Sequence, residues 1–233
     1  MATFKNWLIK ATGVLLIIGL SIQLNGQEGK TKKAFTPGWA VGVKVGTFGP
    51  GIEIVKSFNE LVNLRFGGTY FKMKYDFNTE NEISTINRSY TTTGAINLMA
   101  DLNFLSFMHF TGGLLYNLNK FELKAAPNED YFVDEDFISS ETAGNVDYKF
   151  WTNKICPYAG LGFGRSISRS QLVSFSFDFG VVYHGSPKLQ INANGMISPA
   201  DVEEQEQVLK DNIEGYKFYP VLNFQLSFRF YSK

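Results

Sequence analysis

The chain has 233 residues, 22 basic and 22 acidic side chains, and a pI near 6.7. That balance excludes a broad basic footprint for nucleic acid. With 44% apolar, 15% aromatic and 19% charged residues, the composition also excludes a disordered chain, so the protein must build a core or sit in lipid.

Lys5 and Lys10 flank the start of the chain, which runs into the apolar stretch Val14 to Leu20, small residues, and the polar stretch Gln27 to Lys33. A basic start, a short apolar run and small residues before a polar segment form the layout of a secretory signal peptide. Residues 1–26 are therefore expected to be removed after Gly26, leaving a polar leader over 27–37. The apolar run is far short of the roughly 20 residues of a spanning helix. Cys156 is the only cysteine, so an exported chain must be held by packing and strand pairing rather than by an internal disulfide.

From Gly38 onward the hydropathy alternates with period two, the mark of β-strands. Trp39, Val41, Val43 and Val45 alternate with small or polar neighbours, and Ile52 to Ser57 is a shorter candidate. Leu64, Phe66, Gly68 and Tyr70 continue the pattern, then parity flips to Phe71, Met73, Tyr75 and Phe77, which predicts a bulge near Tyr70. Ile96, Leu98, Ala100, Leu102 and Phe104 oppose Asn97, Met99, Asp101 and Asn103. Met108, Phe110, Gly112, Leu114 and Tyr116 oppose His109, Thr111, Gly113 and Asn117. Val146 to Asn153, Pro157 to Ser166 and Lys188 to Asn192 are further candidates, and Val173 to Tyr183 and Leu222 to Phe230 are the clearest. Strands of about ten residues with one apolar and one polar face suit a tilted crossing of a bilayer. The reading is a closed antiparallel transmembrane β-barrel over 38–231, with about ten strands, or eight if Val146 to Asn153 and Lys188 to Asn192 are loop.

Short links are expected at Phe58 to Leu61, Leu105 to Phe107, Lys154 to Pro157 and Gly185 to Pro187. Longer ones are expected at Asn78 to Asn87, Ala125 to Asn145 and Asn194 to Tyr219, with tight turns at Thr47 to Gly51 and Arg165 to Gln171 on the long-loop side. Ser198-Pro199, with Asp201 three residues after Ser198, reads as a helix start, predicting one short helix over about Pro199 to Asn212. A soluble barrel would close the same way with its faces reversed.

The polar faces of these strands direct Lys44, Glu53, Arg65, Asp101, His109, Asp178 and Arg229 into the lumen. Charges of mixed sign in a narrow barrel pair and fill it, whereas a selective pore would show a ring of one sign. Two histidines and many serines permit a Ser-His-acid story without any convergence of roles, so no catalytic residue is assigned. Asp130, Asp134, Glu135 and Asp136 lack the calcium-loop spacing, and no Cys/His set has zinc spacing, so neither metal nor cofactor is expected. Gly160-Leu-Gly-Phe-Gly164 lacks the Lys-Ser/Thr and helix of a phosphate loop and reads as strand glycines that let the wall pack or curve.

Pro157-Tyr-Ala-Gly-Leu-Gly-Phe-Gly164, Phe177 to Pro187 and the closing run Tyr219 to Phe230 resemble strands of small Gram-negative outer-membrane β-barrel proteins. The resemblance spans roughly Gly38 to Tyr231. It implies an outer-membrane location, contact with outer-membrane lipid, and assembly by the barrel insertion machinery through the terminal strand. Members of that family often have no assigned chemistry, and the reading for this chain is a structural or surface-binding role rather than a wide pore. A narrow small-solute channel is the alternative.

Overall fold

A computed structural model describes residues 36–80, 84–127, 130–133, 136–139, 144–168, 171–195 and 199–232. The expected signal peptide and most of the leader lie outside the described residues, as does Ser198. The strands are β1 (Gly38–Gly46), β2 (Gly49–Ser57), β3 (Val62–Glu80), β4 (Ser84–Asn103), β5 (Met108–Asn117), β6 (Lys120–Pro127), β7 (Tyr131–Val133) and β8 (Asp136–Ile138). They continue with β9 (Val146–Trp151), β10 (Ile155–Gly164), β11 (Val173–Tyr183) and β12 (Lys188–Ala193), then the helix α1 (Pro199–Ile213) and β13 (Phe218–Ser232).

Eleven strands form one antiparallel sheet, and β7 pairs only with β8. Eight of the eleven close a ring: β1 pairs with β2, β2 with β3, β3 with β4, β4 with β5, β5 with β10, β10 with β11, β11 with β13, and β13 with β1. Closure leaves no strand edge in the ring, the condition for backbone in lipid. The segments that separate the ten-strand from the eight-strand count are strands, β9 and β12, but they lie outside the ring.

They lie outside because β4 has two successive neighbours. Its Ala95–Asn103 half pairs with β5, while its Thr85–Thr92 half pairs with β6, which pairs with β9, which pairs with β12. At about 3.3 Å per residue, β3 and β4, with 19 and 20 residues, are each some 65 Å long. Half of that length clears a band of about 25 Å. Near the ring mouth β5, β10 and β11 break, at Leu118-Asn119, Thr152 to Lys154 and His184 to Pro187, and β6, β9 and β12 carry on the wall as a one-sided extension. Asn117 ties two of these breaks together through Thr152 Oγ1 at 2.6 Å. The Gly94 N–H donates to Asn119 Oδ1 at 2.9 Å, where β4 changes neighbour. The short links expected at Lys154 to Pro157 and Gly185 to Pro187 are therefore breaks at the mouth, on the long-loop side.

Arg165 to Gln171 is at the opposite end from the one expected. The Arg165 guanidinium donates to the carbonyls of Ser106 and Glu60, binding this turn to the other two hairpin links. The bulge expected near Tyr70 is absent: β3 and β4 stay in register from Val62 to Glu80. The parity flip has another cause. Up to Tyr70 the outward face meets lipid and is apolar, whereas beyond it the strands rise clear of the ring and that face carries Lys72, Lys74 and Asp76. The ring does have one register shift, between Trp39 and Ala40 against β13.

The helix runs Pro199–Ile213, close to the expected span. Val202, Glu206, Leu209 and Ile213 recur at helical spacing and are half-buried, with Lys210 beside them. It packs along β12, whose Leu189 and Ile191 are buried, and Glu206 accepts the Ile191 N–H at 3.0 Å. That covers the sheet's free edge, which would otherwise offer unpaired backbone groups to another chain.

Candidate functional site

Within the ring the outward strand positions are mostly apolar and exposed, and the inward ones are buried and largely polar. On β3, Phe66 is 55% exposed while its neighbour Arg65 is 4% exposed; on β2, Ile52 is 66% exposed beside Glu53 at 2%. A soluble barrel requires the reverse. The exposed apolar residues circle the whole ring, from Val43 and Ile54 through Phe66, Leu98 and Phe110 to Leu226. A continuous apolar surface of that extent belongs in lipid. Aromatic residues border it at both ends: Trp39, Phe58, Phe104 and Phe107 at the hairpin end, and Tyr70, Tyr116, Tyr183 and Phe218 at the mouth.

The lumen is filled in three layers. Toward the mouth, Phe48, Met99, Leu115, Tyr158, Val182 and Val221 form an apolar cluster, with Tyr219 packed on it. Phe48 reaches it because Thr47-Phe48 turns β1 tightly into β2, with Gly49 at φ 91° where other residues are strained. At the hairpin end Ala40, Val55 and Ile167 form a second apolar cluster. Between the two sits an ionic layer.

Arg65 is its centre. Its guanidinium lies 2.9 Å from Asp101 and 2.9 Å from Asp178, with Glu53 at 3.5 Å, and donates to Thr111 Oγ1 at 3.1 Å. Lys44 Nζ donates to Glu53 Oε2 at 2.6 Å and to Asn97 Oδ1 at 2.7 Å, while Asn97 Nδ2 donates to Glu53 Oε2 at 2.8 Å. His109 Nε2 lies 2.7 Å from Asp178 Oδ1. Ser166 Oγ donates to Asp101 Oδ2 at 2.8 Å. Because β3 and β11 lie on opposite sides of the ring, the Arg65 to Asp178 contact crosses the lumen, while Asp101 and Glu53 reach Arg65 from β4 and β2, the strands that flank β3. Isolated charges would not survive such burial; each carboxylate here has a cation and further donors.

Six of the residues singled out by face parity, Lys44, Glu53, Arg65, Asp101, His109 and Asp178, are thus brought together. Arg229 is not among them. It sits at the hairpin end, where its guanidinium donates to the carbonyls of Ser168 and Thr36. Parity turns it inward, but Arg229 lies four residues along β13 from Gln225, beyond the ionic layer, and parity carries no depth. Asn97, Thr111 and Gln225 belong to the layer and share the inward parity; a search confined to charged residues passes over them. Ser166 was legible only with the Arg165 turn at its correct end.

Gly162 has a part that its spacing alone did not reveal. A side-chain carbon there would collide with the His109 ring and the Asp178 carboxylate. Its missing side chain is the space in which that pair sits. Above the layers, the extension overhangs the mouth. A cavity of about 210 Å³ lies there between Phe121, Phe150, Thr91, His184 and Tyr219. The two phenylalanine rings are 5.7 Å apart, and His184 Nδ1 lies 2.8 Å from the Gly185 carbonyl.

An eight-stranded ring with apolar outside, packed polar inside and a raised wall on one side defines a membrane-spanning β-barrel of the outer-membrane type. Two solved structures share the fold. The CarO protein of Acinetobacter baumannii aligns with TM-score 0.54 over 86% of this chain and 100% of its own, at 18% identity. The CarO2 form from the same organism aligns with TM-score 0.52 over 85% of this chain and 100% of its own, at 20% identity. No protein-family model matches the chain, and no curated protein matches it in sequence.

Proposed function

We propose that this protein is an outer-membrane barrel with a sealed lumen, a structural or surface-binding protein rather than a solute channel. One observation carries the reading: Arg65 is held at 2.9 Å by Asp101 of the neighbouring strand and, across the middle of the ring, at 2.9 Å by Asp178. An apolar layer lies on each side of it. In a ring of eight strands the interior is only wide enough for side chains. Displacing this layer to pass a solute would strand buried charges. The raised wall of β3, β4, β6, β9 and β12 then stands outside the cell, because barrels keep short turns on the periplasmic side and long connections outside. The terminal strand β13, with Leu222, Leu226 and Phe228 outward, is the segment offered to the insertion machinery, and outer-membrane lipid contacts the apolar band.

Planar-bilayer recording of the purified, folded protein tests the reading. The expected trace is flat. Stable unitary steps that scale with salt would instead establish the narrow channel.

A further inference from the structure

On the outward face of the raised wall, five strands bring one residue each to the row nearest the lipid band. In order across the sheet these are Lys72, Thr92, Lys120, Trp151 and Lys188, fixed by the pairings Lys72 to Thr92, Thr92 to Lys120, Lys120 to Trp151 and Trp151 to Lys188. The row holds three lysines, a tryptophan and no acid. Tyr70, on the same face of β3 one step closer to the ring, is 58% exposed and belongs to the aromatic border. The row is therefore the first polar level above the apolar surface, where lipid headgroups lie.

Strands are about 4.8 Å apart, so successive lysines in this row are about 10 Å apart along the sheet. The next two rows add Lys74, Lys149, Arg88 and Lys124 against Glu122, Asp76 and Asp147. Those three acids pair with Lys120, Lys74 and Lys124 respectively. Lys72, Arg88, Lys149 and Lys188 remain as surplus positive charge. The bond from Lys120, with Lys149 and Lys124 adding to it, holds the Glu122 carboxyl below the usual carboxylate range. The opposite face of β6, β9 and β12 is apolar, with Phe121, Leu123, Phe150 and Leu189. The basic face is thus continuous with the lipid-facing surface and turned away from the mouth.

We infer that this face binds the phosphate groups of the outer-leaflet glycolipid, lipid A, with Lys72 and Lys188 contacting phosphate, Lys120 sharing its ammonium between phosphate and Glu122, and Trp151 packed at the sugar and acyl boundary. The inference rests on the membrane orientation proposed above. Polybasic clusters beside a membrane attract anionic headgroups by about 1 kcal/mol per lysine, or roughly fivefold each. Tryptophan favours the boundary level because one end of its ring system is apolar and the other can hydrogen-bond.

The test titrates detergent-folded full-length protein with lipid A and with its dephosphorylated form, reading bound lipid by native mass spectrometry. Wild type is expected to prefer the phosphorylated form, with affinity falling as salt rises. The triple variant K72Q, K120Q and K188Q should bind lipid A about 100-fold more weakly. A control variant away from this row, K56Q with K217Q, should bind as wild type. Equal affinity for the two lipids, an unchanged triple variant, or equal binding of phosphatidylglycerol overturns the inference. So does full competition by millimolar inorganic phosphate, which would make free phosphate the ligand. Heat-modifiable gel mobility, run on every sample, separates the two readings. A protein that shows the barrel's gel shift but no lipid A preference removes this inference alone, whereas one that folds only in buffer removes the membrane reading beneath it.

Discussion

Replacing Arg65 with Met removes the one cation that touches three carboxylates while keeping most of the side-chain volume. Asp101 and Asp178 each lose a partner at 2.9 Å, and Glu53 keeps Lys44 as its cation, with Asn97 as a further donor. All three are at most 2% exposed, so water cannot take over. Breaking a buried pair in this way costs about 3–5 kcal/mol, mostly through the charge left behind. The same logic makes the loss reversible. Adding Asp101→Asn and Asp178→Asn to Arg65→Met removes the orphaned charges, and the triple variant should recover to within about 1.5 kcal/mol of wild type, a strong non-additivity. Urea unfolding from phosphatidylcholine vesicles, followed by tryptophan fluorescence and gel mobility, measures all three proteins. A single-variant loss below about 1 kcal/mol, the size of an exposed ion pair, would refute the sealed ionic layer.

Replacing Phe177 or Leu226 with Arg puts a charge on the lipid face and should cost about 2–4 kcal/mol in the same titration. Ser176→Arg should also be costly, since Ser176 is fully buried in a filled lumen and cannot take a long charged side chain. Gly162→Ala should lose about 1–3 kcal/mol through the His109 and Asp178 collision, whereas Gly112→Ala, with open space at the new carbon, should be close to neutral. Lys210, then the Ile191 N–H, hold the Glu206 carboxyl below its usual 4.5. The contact's stability is therefore present above that value and lost as pH falls through the lowered one, and amide exchange at Ile191 should accelerate over that window while the ring stays protected. Glu204→Cys in a Cys156→Ser background should react with an impermeant thiol reagent on intact cells; labelling only after lysis would invert the orientation.

Alternation by itself determined the strands and their two faces, because a pleated strand turns successive side chains to opposite sides whatever surrounds it. Leu222 to Phe230 and Val173 to Tyr183 could be read without ambiguity for that reason, and α1 was legible from Pro199 and the acidic first turn that follows it. Alternation has no sign, however. Which face looks inward was decided only by ring closure, which buries Arg65 and exposes Phe66. Depth along the axis was equally invisible, so Arg229 shared the parity of Asp178 without sharing its neighbours. The ring of eight, rather than ten, follows from β4 exchanging one neighbour for another at Gly94, a long-range pairing that no local pattern encodes. The parity flip at Tyr70 was plain in the sequence but not its cause: with the register unbroken, what changed was the solvent, from lipid to water, and only the assembled barrel shows where that boundary falls.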